Sequence, residues 1–130
     1  MGRALKLLAV DDDAPSAELI VRVAERCGYE GFATSDPRGF INLVAALQPD
    51  VITVDITMPH IDAIELFGML AQQQFDGEIV IISGRDEQTL LIAQRAAEAL
   101  GLRQPSVQQK PVDFAFLRKT LNANRLARAH

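Results

Sequence analysis

The sequence predicts a single α/β domain whose parallel sheet is covered by helices on both faces, and two observations carry that prediction. Short apolar runs rich in β-branched residues alternate strictly with segments whose apolar residues fall at helical spacing. The strand-like runs are also nearly continuous in apolar character, which suits strands buried on both sides and joined by right-handed crossovers.

Each element can be justified in order. The clearest strands are LKLLAV (5–10), VITVD (51–55) and EIVIIS (78–83), with weaker ones at EGFATS (30–35) and SVQQK (106–110). Between and after them, helical spacing relates Leu19, Ile20, Val23, Ala24 and Cys27; Phe40, Leu43, Val44 and Leu47; Ile64, Phe67 and Ala71; Leu90, Ala93, Ala97 and Leu100; and finally Phe114, Leu117 and Leu121. Asp36 followed by Pro37 reads as an N-cap with proline at the first helical position, and Gly28 and Gly101 stand where helices end. Cys27 falls on the apolar face of the first helix and is expected in the core.

Composition narrows the function. With 130 residues, 48% of them hydrophobic, the chain can build one ordinary core. A single cysteine offers neither an internal disulfide nor a thiolate metal cluster, so a reducing, cytoplasmic setting is expected. The opening MGRALKLLAV is too short an apolar run for a signal peptide, and no stretch reaches the length of a membrane span. A net charge of −4 argues against direct nucleic-acid binding through phosphate neutralisation. The basic RLARAH ending reads as a solvated helix end.

In a sheet of this kind ligands gather beyond the carboxyl ends of the strands. Strand one ends in Asp11 and Asp12, strand three in Asp55, strand four in Ser83 and strand five in Lys110, so all five converge on one edge. Two carboxylates about 5 Å apart repel by roughly 3 kcal/mol at an effective dielectric near 20, and a third adds to this. A cation is needed to relieve that repulsion. Oxygen ligands without a neighbouring imidazole or thiolate favour Mg²⁺ over zinc or copper. Asp13 is read differently, as a cap at the start of the first helix. His60 is assigned no role.

The acidic pair Asp11–Asp12, DITMP around Asp55, SG at Ser83 and KP at Lys110–Pro111 together resemble the receiver domains of bacterial two-component response regulators. The likeness runs from about Leu5 to Leu121. It implies a doubly wound, flavodoxin-like (βα)5 fold with sheet order 2-1-3-4-5, a receiver domain over 1–125, and a short basic tail or the start of a linker over 126–130. It further implies that Asp55 accepts a phosphoryl group from a sensor histidine kinase or a histidine phosphotransfer protein. In that family pattern Asp12 contacts Mg²⁺ directly, Asp11 does so mainly through water, and the Thr57 backbone carbonyl and Asp55 complete the protein's metal ligands. Lys110 pairs with the Asp55 carboxylate and then with the phosphoryl oxygens, and Ser83 hydrogen-bonds the phosphoryl group and pulls its loop inward. Such a domain catalyses only its own phosphorylation and dephosphorylation. Further partners compatible with the resemblance are an output domain or partner protein and a homodimer through helix four, strand five and helix five.

Four departures from the family pattern stand out. Ala63 replaces a glycine common in the turn after strand three, and Val107 replaces an aromatic switch residue three positions before Lys110. The LGLRQPS segment is longer than usual, in the manner of receivers attached to cyclic-di-GMP phosphodiesterases. Thr57 and Arg85 occupy the positions that set phosphoryl lifetime, and neither positions a hydrolytic water as an amide or carboxylate does, so slow self-dephosphorylation is expected. Two other readings compete. A phosphate-independent docking module needs none of the five strand-end residues, and an aspartate-nucleophile phosphatase wants an acid where Thr57 stands.

Overall fold

The computed structural model describes residues 4–36, 38–56, 63–84, 87–103 and 105–128. Along the chain run β1 (Leu5–Val10), α1 (Ala14–Arg26), β2 (Tyr29–Thr34), α2 (Phe40–Leu47), β3 (Val51–Asp55), α3 (Ala63–Gln72), β4 (Glu78–Ser83), α4 (Glu87–Ala99), β5 (Ser106–Gln109) and α5 (Phe114–Arg128). The strands form one sheet in the order β2-β1-β3-β4-β5, and every neighbouring pair is parallel. The expected doubly wound architecture is therefore present.

Strand alternation divides the core into two layers. Leu8, Val10, Ile52, Val54, Ile79 and Ile81 face one side and pack with Phe40, Val44, Leu66, Phe67, Leu70, Leu90 and Ala97 from α2, α3 and α4. Leu7, Ala9, Val51, Val80 and Ile82 face the other, where α1 and α5 contribute Ala17, Ile20, Ala24, Leu117 and Leu121. Cys27 joins this second layer as expected. All five residues of β3 are buried, so the strand carrying Asp55 is clamped from both sides.

Several local expectations need correction. Asp36 and Pro37 do not start a helix: α2 begins at Phe40 with Gly39 as its N-cap, and Pro37 lies outside the described residues. The Asp36 carboxylate instead accepts the Arg38 N–H at 2.9 Å, while Gly39 N–H donates to the Asp36 carbonyl at 3.2 Å. That local turn uses up the capping groups one turn too early. Leu19, Ile64 and Leu100 share the helical spacing of their neighbours yet are exposed. On α3 the inward face consists of Leu66, Phe67 and Leu70. Strand two begins at Tyr29 and strand five ends at Gln109, which leaves Lys110 on the turn just beyond it.

Gly28 and Gly101 follow α1 and α4 at φ of 90° and 84°, the left-handed backbone that ends a helix. The long connection before β5 is anchored, with Leu102 and Pro105 buried and the Gln94 amide donating to the Pro105 carbonyl at 2.7 Å. Ala63 opens α3, and Val107 packs partly buried against the α2–α4 layer. Residues 126–128, read from sequence as the start of a tail, belong to α5. Among the described residues no helix is long and apolar enough to cross a membrane.

The opposite edge of the sheet is pinned by buried Asp50, which precedes β3. Its Oδ2 accepts the Lys6 N–H at 2.9 Å, and Arg128 Nη1 from the last turn of α5 lies 3.5 Å from its Oδ1.

Candidate functional site

The site is built by strand ends. By the alternation of β1 and β3, Asp11 and Asp55 fall on the α1/α5 side of the sheet, following Ala9 and Thr53. Both are almost fully buried, at 3% and 2% exposure, whereas Asp12 is exposed. One carboxylate oxygen from each of Asp11, Asp12 and Asp55 lies within 4.8 Å of the others, a spacing three ligands of one cation can adopt.

Lys110 completes the cluster from the far side. Its Nζ donates to Asp55 Oδ2 at 2.7 Å, and its backbone N–H donates to the Ser83 carbonyl at 2.8 Å. Ser83 is fully buried at the end of β4, so this bond brings the strand-four and strand-five residues of the site side by side. The Lys110–Pro111 peptide bond is cis.

The electrostatics follow from burial. Loss of water pushes the Asp11 carboxyl up from 3.8 to about 6, and the negative charge of Asp55 acts in the same direction. The Asp13 N–H, which donates to Asp11 Oδ1 at 2.9 Å, and the charge of Lys110 oppose that rise. Burial would lower Lys110, but its hydrogen bond to Asp55 and the charges of Asp55, Asp11 and Asp13 outweigh it and hold the ammonium above the usual lysine value. The cluster thus combines acids in electrostatic excess, one fixed cation and an opening at Asp12 toward solvent. Such an arrangement can hold a hard divalent cation, and its lysine can offset negative charge beside Asp55.

Of the residues singled out from sequence, Asp11, Asp12, Asp55 and Lys110 are brought together, and Ser83 stands at the adjoining strand end. Thr57, Arg85 and His60 lie outside the described residues. Asp13 is the N-cap residue of α1, but its carboxylate accepts the Ser16 hydroxyl rather than a helix N–H. Its backbone contribution, holding Asp11, has no signature in the sequence.

A sequence model described as the response regulator receiver domain matches residues 7–126. The chain belongs to the response regulator receiver domain family. Curated relatives agree: an uncharacterized response regulatory protein of Yersinia pestis is 35% identical over 119 residues, 90% of this chain and 47% of that protein. Response regulator MprA of Mycolicibacterium vanbaalenii is 29% identical over 112 residues, 86% of this chain and 46% of that one. This receiver domain therefore spans about half the length of the curated relatives it matches. Among solved structures, a response regulator from Colwellia psychrerythraea superposes with a TM-score of 0.81 at 27% identity, covering 98% of this chain and 100% of that one. The N-terminal domain of an uncharacterized protein from Wolinella succinogenes gives 0.81 at 26% identity, covering 97% and 98%.

Proposed function

We propose that this receiver domain is a phosphorylation-controlled signalling switch in the cytoplasm, with Asp55 as the acceptor of a phosphoryl group from a sensor histidine kinase or histidine phosphotransfer protein. The observation that carries the reading is the 2.7 Å contact of Lys110 with Asp55 inside the acidic cluster. A buried carboxylate held by one ammonium and crowded by two other acids is a nucleophile whose product charge already has partners.

The donor set fits Mg²⁺, because carboxylate oxygens of Asp11, Asp12 and Asp55 are hard ligands. The Thr57 carbonyl is proposed to join them. The ion would neutralise charge on the transferring group. In the transfer, an Asp55 oxygen attacks phosphorus, the bond from phosphorus to the donor's histidine nitrogen breaks, and that nitrogen leaves with its electron pair. The product is an acyl phosphate on Asp55. Lys110, a point charge fixed by its backbone bond to Ser83, engages the phosphoryl oxygens as they form, and the Ser83 hydroxyl donates to one of them. The movement of Ser83 toward the new group carries the loop after β4 with it and alters the neighbouring α4–β5–α5 surface, on which an output domain, a partner protein or a second copy docks. With valine at 107, that transmission runs through backbone and loop rather than through a swinging aromatic ring.

Incubation with acetyl phosphate, with and without Mg²⁺, followed by intact mass on wild type and Asp55→Asn tests the proposal. One added phosphoryl mass requiring both Mg²⁺ and Asp55 is expected. A folded protein that takes no adduct and binds no Mg²⁺ is instead a phosphate-independent docking module.

A further inference from the structure

One buried polar side chain near the site has no part in the chemistry above. Gln108 is 8% exposed on β5, in a strand position that a leucine would fill. The register pairs Asp55 with Ile82 and Ile82 with Gln108, so Gln108 stands in the same cross-strand row as Asp55 and on the same face of the sheet. Lys110 follows two residues later.

Gln108 Nε2 donates to the Asp113 carbonyl at 3.2 Å, bridging the turn that contains Lys110, Pro111 and Val112. Gln108 Oε1 is buried and has no hydrogen-bond partner among the described residues. The reverse orientation of the amide would set its oxygen against the Asp113 carbonyl oxygen, so the bond fixes which way the group points. Asp113 is itself immobilised at the start of α5. Its carbonyl also accepts the Leu117 N–H at 3.0 Å, and its Oδ1 accepts the N–H groups of Ala115 and Phe116 at 3.0 and 3.2 Å. The turn is thus closed at both ends, by Lys110 N–H on Ser83 and by Gln108 on Asp113. A buried acceptor left unpaired lowers stability, and an apolar side chain of similar volume would avoid that loss. What the glutamine supplies in return is a fixed path for the backbone that carries Lys110.

We propose that Gln108 is a positioning residue for Lys110, acting on the phosphoryl-transfer site only through the β5–α5 turn. The proposal rests on the reading of Asp55 and Lys110 given above. It is tested with Gln108→Leu and Gln108→Met in the intact chain. Both variants are expected to unfold at the wild-type temperature or above it, since the unpaired acceptor is gone, and to keep Mg²⁺ affinity within about twofold. Their rate of phosphorylation by acetyl phosphate is expected to fall by about 3- to 10-fold. In a Lys110→Ala background the same substitutions should leave the rate nearly unchanged, because the lysine they position is absent. A second readout is the NMR signal of the Lys110 ε-methylene protons, inequivalent when the side chain is held and merged when it is free. Unaltered rates and unaltered ε-methylene signals in both variants overturn the proposal, as does an equal slowing with and without Lys110. A wild-type chain that takes no phosphoryl group defeats the receiver chemistry instead, and the ε-methylene comparison still decides the role of Gln108.

Discussion

Lys110 Nζ and Asp55 Oδ2 form a 2.7 Å ion pair in which the two partners are unequally buried, with side-chain exposures of 30% and 2%. The lysine keeps part of its hydration and the aspartate keeps almost none, so the carboxylate depends on the pair far more than the ammonium does.

Lys110→Met should therefore leave a buried, uncompensated carboxylate beside two others. The expected loss at neutral pH without divalent cation is about 1–3 kcal/mol in denaturant unfolding. Adding Asp55→Asn should recover most of it, whereas a loss that persists in the double variant would assign the effect to the turn.

The Asp11 carboxyl gives a signed pH dependence. Folding raises it from 3.8 to about 6, so between those values the folded chain binds more protons than the unfolded one. Its contribution is present below pH about 4 and is lost as pH rises through about 6, an effect of at most about 3 kcal/mol. Asp11→Asn in metal-free buffer should thus be more stable than wild type at neutral pH, and the difference should shrink as pH falls from about 7 through 6 toward 4. A divalent cation held by Asp11 as proposed would compete with that proton, so the Mg²⁺ concentration giving half-maximal stabilisation should drop between about pH 5.5 and 7. An Asp11→Asn stability difference constant across this range would contradict the shift.

The hydroxyl of Tyr29, the chain's one tyrosine, donates to the Leu121 carbonyl at 2.7 Å, and the Asn124 side-chain oxygen lies 3.0 Å from it. Burial first, then the charges of Asp50 and Cys27, push its ionisation well above the usual tyrosine value. Ultraviolet titration should show no phenolate above pH about 10 until the chain unfolds. Tyr29→Phe should cost about 1–1.5 kcal/mol and speed amide exchange in the last two turns of α5.

Two glycines should respond with opposite sign. A Cβ at Gly68, inside α3, meets nothing within 4 Å, so Gly68→Ala should stabilise by about 0.5–1 kcal/mol. A Cβ at Gly77 would come within 2.6 Å of the Asp50 carbonyl oxygen and of Phe75 Cζ. Gly77→Ala should destabilise by about 1–3 kcal/mol, and thermal unfolding of the two variants decides both.

What could be read from sequence follows from what is local. The strands announced themselves because both faces of β3 and β4 are buried, and the site because each of its residues ends a strand or lies just beyond one. The false start at Asp36–Pro37 came from a turn that competes for the same capping chemistry. Leu19, Ile64 and Leu100 misled because apolar spacing gives a helical period without marking which residues at the border face inward. Gln108, Tyr29 and the Asp50–Arg128 pair were invisible for another reason. Gln108 looks like any polar residue of an edge strand, and the other contacts join residues far apart in the chain.

The Asp50–Arg128 contact ties the last turn of α5 to the strand ends opposite the site. Fifteen residues of helix span roughly 22 Å, with the Lys110 turn at one end and this ion pair at the other. With that end held, a displacement of about 1 Å at the turn would tilt the helix axis by about 3°. Such a tilt would move the first turn, where Phe116 is exposed, most and the last turn least, so any phosphorylation-dependent contact on α5 should map to its first turn.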